Sequence, residues 1–165
     1  MCRKASGLRR AAAMISCVAV LGLCSPLCAE ESGPFVMLAG SWTGSGTVSI
    51  SNGTNERIRC NANYDVVNPK NVQLSLRCAS DSYNFNLLSA INYEGGAISG
   101  SWTEATRNTA GHLTGHVNGS QIQVAAKGGS FSADLTVQTR GNHQSVTIHS
   151  TGGDVTGASI AMTRR

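Results

Sequence analysis

Between Gly40 and Arg164 apolar and polar residues alternate in short runs, and no stretch keeps the period of an amphipathic helix. The runs are separated by dipeptides that favour the positive φ of tight hairpins, namely Asn52-Gly53, Gly95-Gly96, Asn118-Gly119, Gly128-Gly129, Gly141-Asn142 and Gly152-Gly153. Asn68-Pro69 marks a further turn. The pattern predicts strands at 41–50, 55–66, 72–80, 82–93, 97–104, 112–117, 121–126, 130–139, 143–149 and 155–164.

Each predicted strand follows the previous one through a short connection, and consecutive hairpins of this kind form an antiparallel meander. A long meander leaves two exposed edge strands unless it closes on itself. We therefore predict an all-β fold, an up-and-down barrel of about ten strands, with a two-sheet β-sandwich as the alternative.

The beginning of the chain carries a different pattern, since four basic residues precede an apolar run at 11–27. This arrangement is typical of a secretory signal peptide. The run is shorter than the roughly 20 residues of a membrane span. We predict a signal peptide at 1–29 with cleavage after Ala29, a short lead-in at 30–39 and one barrel domain at 40–165. The product would be periplasmic or secreted, with no transmembrane span.

Removal of the signal peptide changes the charge and the cysteine content. Four of the thirteen basic residues and four of the six cysteines lie within it, which leaves nine Lys or Arg against nine Asp or Glu. A neutral domain gives no support to a nucleic-acid partner. The remaining cysteines, Cys60 and Cys78, are expected to form a disulfide because exported proteins reach an oxidising compartment.

Placing Cys60 opposite Cys78 fixes the register of the second and third predicted strands. The residues in phase with the cysteines are then apolar, and they pair as Ala62 with Leu76, Tyr64 with Leu74 and Val66 with Val72. The other phase is polar and contains the arginines of a predicted outer basic patch, Arg57, Arg59 and Arg77.

The first strand opens with Gly40-Ser41-Trp42, which resembles the Gly-x-Trp signature of the calycin superfamily of lipocalins, fatty-acid-binding proteins and avidins. In lipocalin-type barrels a basic residue of the last strand packs over that tryptophan, and the resemblance implies this role for Arg164. The sequence shows neither the helix that follows the last strands of lipocalins nor the helical pair that caps fatty-acid-binding proteins. The resemblance therefore covers architecture and transfers no binding site.

Alternation assigns a set of aromatic and acidic residues to the barrel interior. The candidate ligand-binding residues are Trp42, Tyr64, Tyr83, Phe85, Tyr93, Trp102 and Glu104. Several other inward positions are small, among them Gly44, Gly46, Gly100, Gly115 and Gly157, and we interpret them as evidence for an internal cavity or a flattened cross-section. An apolar cavity with tyrosine hydroxyls and one carboxylate would suit a small hydrophobic or amphipathic ligand.

The alternative function is a protein-interaction module of the cell envelope, an inhibitor or an accessory protein, that uses the basic patch Arg57, Arg59 and Arg77 and has a filled core. No metal site is expected, because His112, His116, His143 and His149 alternate with inward apolar residues and so point to solvent. No nucleophile motif, paired inward carboxylates or phosphate loop is found, so we predict a protein that is not an enzyme and carries no cofactor.

Overall fold

The computed structural model describes residues 33–165, and the predicted signal peptide lies outside the described residues. The described chain forms a closed barrel of ten antiparallel strands in which each strand pairs with the next and β10 pairs with β1. The strands are β1 Gly40–Ile50, β2 Asn55–Asn68, β3 Asn71–Ala79, β4 Asn84–Glu94, β5 Ala97–Glu104, β6 Thr109–Asn118, β7 Gln121–Gly128, β8 Phe131–Arg140, β9 His143–Thr151 and β10 Val155–Arg164. The predicted closed meander is confirmed, and the β-sandwich alternative is wrong.

The predicted boundaries hold to within a few residues because the turns stand where positive-φ glycines allow them. Gly95 and Gly96, for example, adopt φ of 57° and 91° between β4 and β5. One assignment is corrected, since Tyr83 was placed on the fourth strand but precedes β4. Its carbonyl accepts a 2.8 Å hydrogen bond from the backbone N–H of Ser80, which closes the β3–β4 turn.

The register of β2 and β3 follows the cysteine pairing. Cys60 and Cys78 are directly opposed and disulfide-bonded, with Cα atoms 4.1 Å apart. The neighbouring inward pairs, Ala62 with Leu76, Tyr64 with Leu74 and Val66 with Val72, are those that the sequence predicted.

The end of the barrel where β1 begins, termed here the near end, is covered by a 3-10 helix at Val36–Leu38. The opposite end, where β1 finishes, is termed the far end. Phe35 and Leu38 are buried, and the Trp42 indole N–H donates a 2.7 Å hydrogen bond to the Leu38 carbonyl. The predicted lead-in thus supplies part of the hydrophobic core.

Arg164 takes the position that the calycin resemblance implied. Its guanidinium carbon lies 4.7 Å from the centre of the Trp42 ring, and Nη1 donates a 2.8 Å hydrogen bond to the Ala39 carbonyl. Nη2 donates to the carbonyl of Met37. Arg164 therefore joins the last strand, the first strand and the 3-10 helix.

Inward glycines mark tight contacts between strands. A Cβ atom on Gly44 would lie 2.1 Å from the Ala161 carbonyl oxygen, and one on Gly46 would lie 1.9 Å from that of Ser159. These glycines let β1 approach β10 where the barrel closes, so they are not evidence for a cavity. Gly157 was predicted to face inward, but it pairs with exposed His149 and lies in the outward phase.

Within residues 33–165 no helix has the length and apolar character needed to cross a lipid bilayer.

Candidate functional site

Two opposite walls of the barrel carry inward side chains that are only part-buried. On one side these are Leu74, Leu76, Leu87 and Ile91, and on the other Leu135, Val137, Val146 and Ile148. In the ten-strand ring β3 stands opposite β8, and β4 stands opposite β9. We term the interior between these two walls the chamber.

An aromatic pair packs in the far half of the interior. Trp102 is 5% exposed, packs edge-on against Phe131 with ring centres 5.8 Å apart, and donates an indole hydrogen bond to the His112 carbonyl at 3.3 Å. Val48 and Leu113 are also buried there.

Three polar side chains form a buried cluster in the near half of the interior. The Tyr64 hydroxyl donates a 3.1 Å hydrogen bond to Gln144 Oε1, and Gln144 Nε2 donates a 3.1 Å hydrogen bond to Thr139 Oγ1. Tyr64 is on β2 and Gln144 is on β9, so their bond crosses the interior between strands that are not neighbours. We term Tyr64, Gln144 and Thr139 the polar cluster.

Burial dominates the ionisation of Tyr64. Removal from solvent raises the pKa of the phenol to about 12, and the hydrogen bond with Gln144 offsets only part of that effect. The polar cluster is therefore neutral at physiological pH.

Glu104 is 1% exposed at the far end, and its carboxylate is fully engaged. Oε1 accepts backbone hydrogen bonds from Asn86 at 2.9 Å and Thr106 at 3.0 Å. Oε2 accepts from the backbone of Arg107 at 2.8 Å and contacts its guanidinium at 3.5 Å. Burial raises the pKa of Glu104, but these hydrogen bonds outweigh it and hold the pKa below its usual value. Glu104 thus organises the β5–β6 loop and has no free oxygen for a ligand.

The predicted ligand-binding residues do not form one cluster. Trp42, Tyr64 and Tyr93 lie in the near half, where Tyr93 packs edge-on against Phe35 with ring centres 6.3 Å apart. Phe85 pairs with Cys78 in the far half, together with Trp102 and Glu104. Tyr83 lies in the far-end turn with the Arg107 guanidinium 5.6 Å from its ring centre. Of the seven, Tyr64 is the residue whose polar group reaches across the interior.

Sequence reasoning missed Gln144 and Thr139 as interior polar residues. The signal that would have found them is phase, because Gln144 is in step with Val146 and Ile148 on β9 and Thr139 is in step with Val137 on β8. A polar residue in an inward phase is unusual and is retained when it finds a hydrogen-bond partner.

The three arginines of the predicted basic patch lie exposed on two adjacent strands. Arg57 and Arg59 are exposed on β2, and Arg77 is exposed on β3 opposite Asn61. Within the described chain none of the three makes an ion pair. A shallow depression beside Arg57 is lined by Ser45, Gly46, Thr47, Asn55 and Glu56.

The four histidines of the described chain, His112, His116, His143 and His149, are all exposed. Residues 33–165 contain no group of three or more metal-ligating side chains.

Comparison with solved structures identifies barrels of the same architecture. Rv2717c from M. tuberculosis superposes with a TM-score of 0.61 at 12% identity, covering 78% of this chain and 93% of that one. The S-type phycobiliprotein lyase CPES from Guillardia theta superposes with a TM-score of 0.59 at 11% identity, covering 79% and 90%. At such identities the likeness shows the fold alone, and it agrees with the closed antiparallel barrel described above. No protein-family model and no curated protein matches the sequence.

Proposed function

We propose that this chain binds a small hydrophobic or amphipathic ligand inside its barrel. The observation that carries the proposal is the chamber, where apolar residues such as Leu76 and Ile148 lie in the inward phase and are less buried than the rest of the core. We infer that free space remains between its walls. Barrels wider than eight strands leave room for a ligand of this kind.

The chamber supplies the free energy of binding mainly through burial of apolar surface. At about 25 cal/mol per Å², removal of roughly 200 Å² of ligand surface from water contributes on the order of 5 kcal/mol, before the cost of immobilisation. The few polar groups would then orient the ligand.

We also propose a binding role without catalysis. The groups that enzymes of this size commonly use are committed elsewhere in the described chain. Glu104 is saturated by hydrogen bonds, Cys60 and Cys78 form a disulfide, and the histidines lie on the outer surface. The phycobiliprotein lyase shares the barrel fold, and a shared fold does not determine a function.

Export of the chain belongs to the same proposal. The disulfide supports it, since paired cysteines persist in oxidising compartments such as a periplasm or the extracellular space. Sequencing the N-terminus of protein recovered from outside the cytoplasm should give a chain that begins just after Ala29, and a chain recovered with its first residues intact would contradict the predicted cleavage.

Fluorescence titration with fatty acids, retinoids, haem and biotin tests the binding role. We expect saturable binding of at least one apolar compound to the wild type, and loss of that binding in Ile148→Trp, which places a large ring in the chamber. The matched control is Thr147→Trp, the neighbouring outward position, which should bind as the wild type does. Equal binding by both variants, or no binding of any compound, would overturn the proposal.

A second candidate is a protein-interaction module, and the exposed basic patch favours it. Arg57, Arg59 and Arg77 lie on adjacent strands without acidic partners in the described chain, so an acidic protein surface would complement them. Pulldown from an envelope extract should then lose a partner in an Arg59→Glu and Arg77→Glu double variant. Identical partner profiles would remove the basic patch from consideration.

A further inference from the structure

The polar cluster indicates the chemical class of the ligand, an inference that rests on the proposed binding role of the chamber. We propose that the barrel selects a neutral amphipathic lipid, with a hydroxyl or carbonyl group that hydrogen-bonds to Tyr64, Gln144 and Thr139. The charged counterparts of the same lipid, a carboxylate or an amine, would bind more weakly.

The polar cluster has hydrogen-bonding capacity to spare. Tyr64 donates to Gln144 and keeps its lone pairs as acceptors, while one hydrogen of Gln144 Nε2 is not used by the bond to Thr139. The Thr139 hydroxyl accepts from Gln144 and donates to no group in the described chain. Both a donor and an acceptor are therefore unused within the buried polar cluster, and a neutral head group would reach them from the chamber side.

The polar cluster borders the chamber directly. Gln144 and Thr139 form a cross-strand pair on β9 and β8, and the next inward pair, Val146 with Val137, belongs to the chamber wall. Tyr64 pairs with Leu74 on the opposite wall. A lipid tail between the walls would bring its polar end against the polar cluster.

The distribution of charge disfavours an ionic head group. Among residues 33–165 the cation in an inward strand phase is Arg164, which contacts the Trp42 ring and donates to two backbone carbonyls at the near end, while its Nε is buried without a partner in the described chain. The remaining Lys and Arg lie in turns, at the chain end or on the outer face. A buried carboxylate head group would find this one inward cation already engaged by its own contacts, which disfavours its binding. An ammonium group would bind no better, because the two carboxylates in inward strand phases, Glu56 and Glu104, both lie at the far end and accept hydrogen bonds from loop backbone.

A matched series of lipids with one tail tests this inference. Purified protein is loaded with the neutral fluorescent probe N-phenyl-1-naphthylamine, which is then displaced by dodecanol, dodecanoate or dodecylamine. At neutral pH we expect dodecanol to displace the probe at about a tenfold lower concentration than either charged lipid. Below the pKa of the free fatty acid, dodecanoic acid should approach dodecanol.

This experiment distinguishes a failure of the proposed binding role from a failure of the proposed head-group preference. If neither the probe nor any lipid binds, the proposed function itself is wrong. If the probe binds and dodecanoate is the tightest ligand at neutral pH, the binding role stands and the preference for a neutral head group is overturned.

Variants of the polar cluster test where the head group binds. Tyr64→Phe should weaken dodecanol binding about tenfold, whereas Tyr83→Phe, in the far-end turn, should bind dodecanol as the wild type does. Thr139→Val removes a donor with little change of shape and serves where Tyr64→Phe folds poorly. Unchanged dodecanol binding in a folded Tyr64→Phe or Thr139→Val variant would overturn the assignment.

Discussion

The guanidinium of Arg164 lies 4.7 Å from the centre of the Trp42 ring, so the last strand of the barrel is bound to the first by a stacked cation. The same guanidinium donates to backbone carbonyls of Ala39 and Met37. This contact closes the ring of strands and fixes the 3-10 helix over the near end.

Arg164→Lys should therefore destabilise the fold, because an ammonium neither stacks flat on the indole nor reaches both carbonyls. We expect a loss of about 1–2 kcal/mol in the free energy of unfolding, measured by urea denaturation. The control is Arg165→Lys, at an exposed position that bonds to Thr43 and Asn61, with an expected change within about 0.5 kcal/mol. Equal stability of the two lysine variants would contradict the role of Arg164.

Tyr64 should make the folded state less stable as the pH rises into the alkaline range. Its pKa is about 12 in the folded chain, raised by burial above the ordinary value of 10.0. Below a pH of about 10 the phenol is protonated in both the folded and the unfolded chain, and the fold keeps its full stability. As the pH rises toward the folded value only the folded state keeps the proton, so about 2–3 kcal/mol of stability is lost across this window.

Denaturation curves recorded at several alkaline pH values test this expectation. Tyr64→Phe should lack this part of the pH dependence, while Tyr83→Phe should retain it. A wild type and a Tyr64→Phe variant with parallel stability profiles would show that the Tyr64 hydroxyl is not held protonated by the fold.

Glu104→Gln should destabilise the far end without changing side-chain volume. One carboxylate oxygen would become an NH₂ group that faces backbone donors of Asn86 and Thr106 or of Arg107. A buried amide donor that faces backbone N–H donors should lower the free energy of unfolding by about 1–3 kcal/mol, measured by urea denaturation. Glu94→Gln, at an exposed position, is the control and should be nearly neutral. No difference between the two glutamine variants would mean that the hydrogen bonds to Glu104 contribute little.

Acidic pH should also destabilise the fold, through protonation of Glu104. Because its hydrogen bonds hold the pKa below the usual value, the stabilising effect is present at neutral pH and is lost as the pH falls through the folded pKa. The Glu104→Gln variant should lack this acid-dependent part of the stability. If its free energy of unfolding depends on acidic pH as that of the wild type does, the role assigned to Glu104 is contradicted.

Much of the architecture could be predicted from the sequence because strand residues alternate with a period of two and the hairpins are short. Those two constraints fix the number of strands, the Cys60–Cys78 register and the facing of Trp42. The contact of Arg164 came instead from the calycin resemblance.

The candidate site could be predicted only in part. Alternation identifies which side chains point inward, but it does not measure how far apart opposite walls stand. The bond between Tyr64 and Gln144 joins residues 80 positions apart on strands that do not pair, so no local pattern reveals it. The inward glycines were interpreted as evidence for a cavity or a flattened cross-section. Gly44 instead leaves room for the backbone of the neighbouring strand.

The central claim is that the barrel contains solvent-reachable space at its apolar walls. The most direct measurement is the native-state reaction of engineered cysteines with methyl methanethiosulfonate, with the labelled position identified by peptide mass spectrometry. Ile148→Cys, on the chamber wall, should be modified without unfolding and should be protected by a bound lipid. Leu113→Cys, at a position only 6% exposed, should react only on unfolding. If Ile148→Cys proves as inert as Leu113→Cys, while Thr147→Cys on the outer face reacts normally, the interior is filled and the chamber does not exist.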